Sequence, residues 1–323
     1  MKKILIWLLL IMLVSSCTQN ISKPSEPNIS NKQIVEILTS QEKYNPEINP
    51  AEFTSKVTNK YFTLTPEKKM VYETGSEKVE VYVMNETKNI MGVDSIIVWD
   101  RVWLDGQLIE DTKDWYAQDK NGDVWYFGED TKELVNNLVV STKGSWKAGV
   151  NGAKPGIIMK ANPQPGDTYR QEYYEGEAED KSDILALGET VTLSFRKFTG
   201  CVKTLDYTPL EPDIKENKYY CPGAGGMVLE VDLENGKRVE LVSVEYDAKP
   251  SSSISEVPEE LIKLDEEKAK EIALEEVPGT VIDIAVERKS GKLVYVVEID
   301  ANSGPETDVI IDMDTGEVLG IET

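Results

Sequence analysis

Histidine is absent from the 323-residue chain. With no imidazole there is no Ser-His-Asp triad, no Cys-His pair, no His-ligated zinc and no histidine general base. Cysteine is nearly absent too, at 3 residues, so no thiol set completes a metal site where histidine is missing. Positive charge is scarce: 35 Lys and Arg stand against 58 Asp and Glu, a formal net charge of −23. Such a surface repels nucleic acid and anionic headgroups, which excludes nucleic acid as a partner. The apolar run at the amino end stops after Ile4 to Val14, well short of the roughly 20 residues a membrane-spanning helix needs. Any catalysis would fall to carboxylates, Tyr, Lys or a hard metal ion. No organic cofactor is implied.

Lys2 and Lys3, the apolar run, and Val14-Ser15-Ser16-Cys17 together resemble a bacterial lipoprotein signal peptide. The resemblance implies removal of residues 1–16 and acylation of Cys17 with palmitate-type chains. At about 0.8 kcal/mol per buried methylene, two or three chains form a lasting membrane anchor. The body would then face the extracytoplasmic side of the cell envelope, and cleavage would deepen the net charge by the two lysines lost. Residues 17–58, polar and interrupted by Pro24, Pro27, Pro46 and Pro50, read as the lipidated cysteine and a flexible tether with an end-to-end distance on the order of 35 Å.

Residues 59–246 carry short alternating segments separated by turn residues. Lys78–Met84, Ile96–Leu104, Asp114–Gln118, Val124–Phe127, Tyr169–Tyr174, Thr190–Phe195, Met227–Asp232 and Arg238–Val244 read as strands. Asp119-Lys120-Asn121-Gly122 and Glu234-Asn235-Gly236 read as hairpin turns. This predicts one large antiparallel domain, a β sandwich or an open barrel. The Ser- and Pro-rich stretch 247–263 reads as a linker. Residues 264–323 predict an α+β unit: a helix capped by Asp265 and running to Glu276, then strands Val281–Arg288, Leu293–Asp300, Thr307–Asp312 and Val318–Ile321.

The last segment resembles the PepSY family through Ala269-Lys270-Glu271-Ile272-Ala273-Leu274, Val277-Pro278-Gly279, Leu293-Val294-Tyr295-Val296-Val297-Glu298-Ile299 and the ending Ile311-Asp312-Met313-Asp314-Thr315-Gly316-Glu317-Val318. The resemblance implies a binding module that restrains a secreted peptidase or contacts another envelope protein, and it brings no catalytic residues. Residues 59–246 resemble a group of uncharacterised secreted bacterial and archaeal β proteins through Asp114–Asp119 and Val124–Asp130.

Cys201 and Cys221 lie symmetrically about Glu211, between the strand-like segments Cys201–Tyr207 and Asn217–Cys221. Antiparallel pairing about that centre places the thiols opposite each other and predicts a disulfide in an oxidising compartment. Beyond the leader, the tryptophans are Trp99, Trp103, Trp115, Trp125 and Trp146. With Arg101 between the first two on one strand face, they form either a ligand platform for sugar, lipid or peptide, or the filling of a sheet core. Asp119, Asn121, Asp123 and Asp130 match positions 1, 3, 5 and 12 of a calcium loop, yet Val124 replaces the glycine such a loop needs. A hairpin turn is the preferred reading, with weak calcium binding as its competitor.

Carboxylates at Asp100, Asp105, Glu110, Asp111, Asp114 and Glu172 give a glycosidase-like pair a place to arise. Three functions follow in order. The first is a non-catalytic, lipid-anchored envelope protein that binds a protein partner. The second is a β domain that binds lipid, glycan or another small ligand. The third is a carboxylate hydrolase acting through Asp100, Asp114 or Glu172.

Overall fold

The computed structural model describes residues 44–135, 138–250, 264, 266–289 and 292–323. Cys17, the leader, most of the tether, Asp265 and residues 251–263 of the linker lie outside the described residues.

Three short strands, β1 (Phe53–Thr54), β2 (Val57–Thr58) and β3 (Thr63–Leu64), precede a five-stranded meander: β4 (Lys69–Thr74), β5 (Glu77–Ile90), β6 (Val93–Leu104), β7 (Gln107–Asp119) and β8 (Val124–Val135). Short elements follow: β9 (Leu138–Ser141), β10 (Trp146–Lys147), β11 (Lys154–Met159), β12 (Thr168–Arg170) and β13 (Glu172–Tyr173). A second meander comprises β14 (Lys181–Thr192), β15 (Lys197–Thr208), β16 (Glu211–Tyr220), β17 (Met227–Asp232) and β18 (Arg238–Glu245).

The strands hydrogen-bond in the order β12-β14-β15-β16-β17-β18-β4-β5-β6-β7-β8-β11-β13. The last strand of the second meander thus pairs with the first strand of the first. At the far ends of this order, β12 and β13 are separated in sequence only by Gln171, so the antiparallel sheet nearly closes into a barrel. Closure depends on Gly156 of β11, where an added Cβ would come within 2.4 Å of the Gln171 backbone. The sandwich alternative is not adopted, because the two meanders join edge to edge instead of stacking face to face.

Two expected strands differ in detail. Thr190–Phe195 ends early at Thr192, where the backbone turns and the Leu193 amide donates to the Arg196 carbonyl. Tyr169–Tyr174 is broken at Gln171, whose amide donates to the Asp180 carbonyl. Within the stretch read as tether, Phe53 pairs with Asp119 and Val57 lies in the core.

The C-terminal unit has helix α1 (Glu266–Glu276) and strands β19 (Gly279–Lys289), β20 (Lys292–Ala301), β21 (Thr307–Asp312) and β22 (Val318–Glu322), paired in that order. Ala269 and Ala273 of α1 bury against Tyr295, Val297, Ile299, Val309 and Ile311. Val135 and Val140 of the large sheet join this cluster, and the Tyr295 hydroxyl donates to the Val140 carbonyl at 3.3 Å.

Candidate functional site

Strand alternation sorts the central side chains onto two faces. Phe62 packs against both Tyr116 of β7, at 5.3 Å, and Tyr220 of β16, at 6.4 Å. Those strands are not neighbours in the sheet, so Tyr116 and Tyr220 point inward across the barrel. Register then places Val98, Asp100, Thr112, Asp114, Tyr126, Glu129 and Thr131 on the same inner face: Val98 pairs with Asp114, Asp100 with Thr112, Asp114 with Glu129 and Tyr116 with Tyr126.

The inner face is rich in carboxylates. The Tyr126 hydroxyl sits 2.6 Å from Asp114 Oδ1 and 3.0 Å from Glu129 Oε2, and Tyr126 meets Trp146 edge-on at 5.3 Å. A phenol has one proton to give, so the second contact is a hydrogen bond only when that carboxyl carries its own proton. Trp146 Nε1 donates to Glu172 Oε2 at 2.8 Å. Asp100 is 7% exposed, and its Oδ1 has no hydrogen-bond partner among the described residues. Burial raises every one of these groups: Asp114 to about 6, Glu129 and Glu110 to about 7, Glu172 to about 8, and Asp100 well above the usual carboxylate range. Neighbouring acids add to the rise, Asp114 on Asp100 and Asp180 on Glu172.

The structure brings together Asp100, Asp114 and Glu172, the three acids named for a hydrolase, and adds Glu129. Acid–base hydrolysis needs one carboxyl neutral and its partner ionised, hence environments that push the two apart. Here burial moves all of them upward by unequal amounts, with Asp114 at about 6 and Glu172 at about 8. Glu129 is hidden in the sequence by a bulge. Simple alternation from Phe127 would place it outward, but the register shifts between Asp114 and Tyr116. Gly128, at φ +130°, lets the strand step inward, with an added Cβ only 2.3 Å from the Trp146 carbonyl oxygen. A glycine inside a strand pattern is the available signal for such a step.

A second inner cluster centres on Lys218, which lies 3.3 Å from Asp206, 3.5 Å from Glu216 and 3.9 Å from Glu230. These acids hold its ammonium charged although burial opposes that charge.

The outer face holds the remaining tryptophans. Trp99, Arg101 and Trp103 share a face as expected, but the guanidinium lies over both rings, 4.1 Å and 5.2 Å from their centroids. Arg101 pairs with Glu80 at 2.8 Å, each 1% exposed, and Trp99 Nε1 donates to Asp111. The chain's own cation therefore occupies the faces a ligand would stack on. Trp115 carries Lys88 over its ring at 3.8 Å, and Trp125 packs against Phe53. The five rings thus divide among separate places, with Trp146 alone on the acid-lined inner face.

Asp119 Oδ1 accepts from the Asn121 and Asp123 amides, and Asp123 Oδ1 accepts from the Ala161 amide. Asp130 lies away from this turn, opposite Lys113 on β7. Among the described residues no group of three or more His, Cys, Asp or Glu is placed to hold a metal ion. Val202 pairs with Tyr220, which sets Cys201 opposite Cys221. The two form a disulfide, with Cα atoms 4.1 Å apart. Gly223 and Gly225, both at positive φ, shape the bend between β16 and β17, where the buried Lys68 ammonium donates to the Ala224 carbonyl.

Residues 263–322 match the PepSY family, described as "Peptidase propeptide and YPEB domain". The match covers the α1–β22 unit and makes it a PepSY domain. PepSY domains are usually extracytoplasmic, and they point to a protein-binding or regulatory role. No curated protein matches the chain. A solved structure titled "Crystal structure of MucB" aligns over 80% of this chain and 79% of that one at 10% identity, with a TM-score of 0.27. A likeness at that score carries no argument. No helix among the described residues is long and apolar enough to cross a membrane.

Proposed function

We propose that the chain is a non-catalytic, lipid-anchored envelope protein whose PepSY domain binds a protein partner and restrains a secreted peptidase. The observation that carries this reading is the PepSY match over residues 263–322. Cys17 is the proposed anchor, and the Cys201–Cys221 disulfide fits display in an oxidising compartment. The test is casein hydrolysis by intact producing cells and their medium, with and without the chain. Loss of the chain is expected to raise proteolysis, and restoring it to lower proteolysis again. Unchanged proteolysis would refute the restraint.

A second reading, a small ligand held by the β domain, is favoured by one observation. The buried Oδ1 of Asp100, without a hydrogen bond, lies among other carboxyls on an inner face that also carries aromatic rings.

A further inference from the structure

From the inner face of the barrel we infer that the β domain binds an organic cation with an apolar body, its ammonium or guanidinium group meeting Asp100, Asp114, Glu129 and Glu172. The inference deepens the small-ligand reading and rests on it.

Two observations carry it. The first is an unmet acceptor: Asp100 Oδ1 is fully buried without a hydrogen bond, and such a group is costly to leave unmatched. The second is the lack of a counter-charge. Among the described residues, no ion pair reaches Asp100, Asp114, Glu129 or Glu172; the inner Lys218 is engaged by Asp206, Glu216 and Glu230, and Arg101 lies on the outer face against Glu80.

Charge selects the ligand class. A neutral carboxyl can release its proton to solvent as a cation enters, so the pair is buried with its charges matched. An entering anion finds no free lysine or arginine beside these acids, and a neutral amphiphile leaves them as they were. Val98 offers apolar contact on the same inner face, beside the packed Tyr126 and Trp146 rings.

The test compares three ten-carbon probes below their micelle concentrations: decyltrimethylammonium, decyl maltoside and decyl sulfate. Binding to the full chain is followed by calorimetry, with tryptophan emission as a second reading because Trp146 touches the site. The cationic probe is expected to bind at least ~10-fold more tightly than the other two, a difference well within one desolvated ion pair. Asp100→Asn is expected to remove that preference. If Asp100→Asn does not fold by circular dichroism, Glu110→Gln, at the half-buried edge of the cluster, replaces it and is expected to weaken the preference. Equal binding of all three probes, tighter binding of the sulfate, or a preference that survives the substitution overturns the cation inference alone. No binding of any probe overturns the small-ligand reading with it.

Discussion

Between about pH 5 and pH 8 the folded chain holds protons that the unfolded chain has already released. Glu172 rises from 4.5 to about 8 and Glu129 from 4.5 to about 7, both because burial disfavours the charged form. A carboxyl raised in the fold contributes stability that is complete below its unfolded value and is lost as pH climbs through its folded value. Each such group lowers stability by up to about 1.4 kcal/mol per pH unit. From pH 5 to pH 7 the two glutamates together therefore cost roughly 5 kcal/mol, or on the order of 10 °C in Tm for a chain of this size. The net charge of −23 acts in the same direction by self-repulsion. The melts should therefore be run in 1 M NaCl, where the Debye length falls to about 3 Å and surface repulsion fades. Differential scanning calorimetry across the range should show Tm falling as pH rises. Glu172→Gln keeps an acceptor for Trp146 but cannot ionise, so it should flatten the slope by one group's share and raise Tm at pH 8. A flat or rising Tm in high salt, or an unchanged slope in Glu172→Gln, refutes the reasoning.

Other outcomes follow from single contacts. Arg101→Ala removes the buried guanidinium from Glu80, leaving Lys78 at 3.7 Å, and should cost about 3 kcal/mol in urea denaturation, whereas the pair Glu80→Gln with Arg101→Met should recover most of that loss. Replacing Cys201 and Cys221 by Ala opens a loop of sequence separation 20 and should cost about 3 kcal/mol, seen as a lower denaturation midpoint. Gly156→Ala forces β11 away from Gln171, and amide hydrogen exchange should speed up at β11, β12 and β13 before other strands. Tyr295→Phe removes one hydrogen bond to Val140 and should cost about 1 kcal/mol, read as a small loss in Tm.

Much of the fold was legible because its signals are local. Alternation at Val79, Val81 and Val83 and the Asn121-Gly122 turn depend on neighbours in sequence, and the symmetry of Cys201 and Cys221 about Glu211 gave the disulfide register. Closure was not legible, since it depends on β18 finding β4 and on the Gly156–Gln171 approach, both long-range pairings. The tryptophans were read correctly as a cluster in sequence but not as separate places in space. Alternation put Trp99, Arg101 and Trp103 on one face, yet nothing local showed that Arg101 would fold over both rings to reach Glu80. The acid-lined face was visible only in part. Asp100, Asp114 and Glu172 could be named, while Glu129 required the bulge at Gly128, and the closure that brings Glu172 to the others was not legible.

The most direct measurement is a titration of the purified full-length chain into the casein-degrading peptidase fraction secreted by the producing cell, with initial rates recorded at each ratio. A PepSY domain acting as a restraint predicts saturable inhibition that ends near one chain per enzyme. Rates that stay constant through a large excess of the chain would contradict the account.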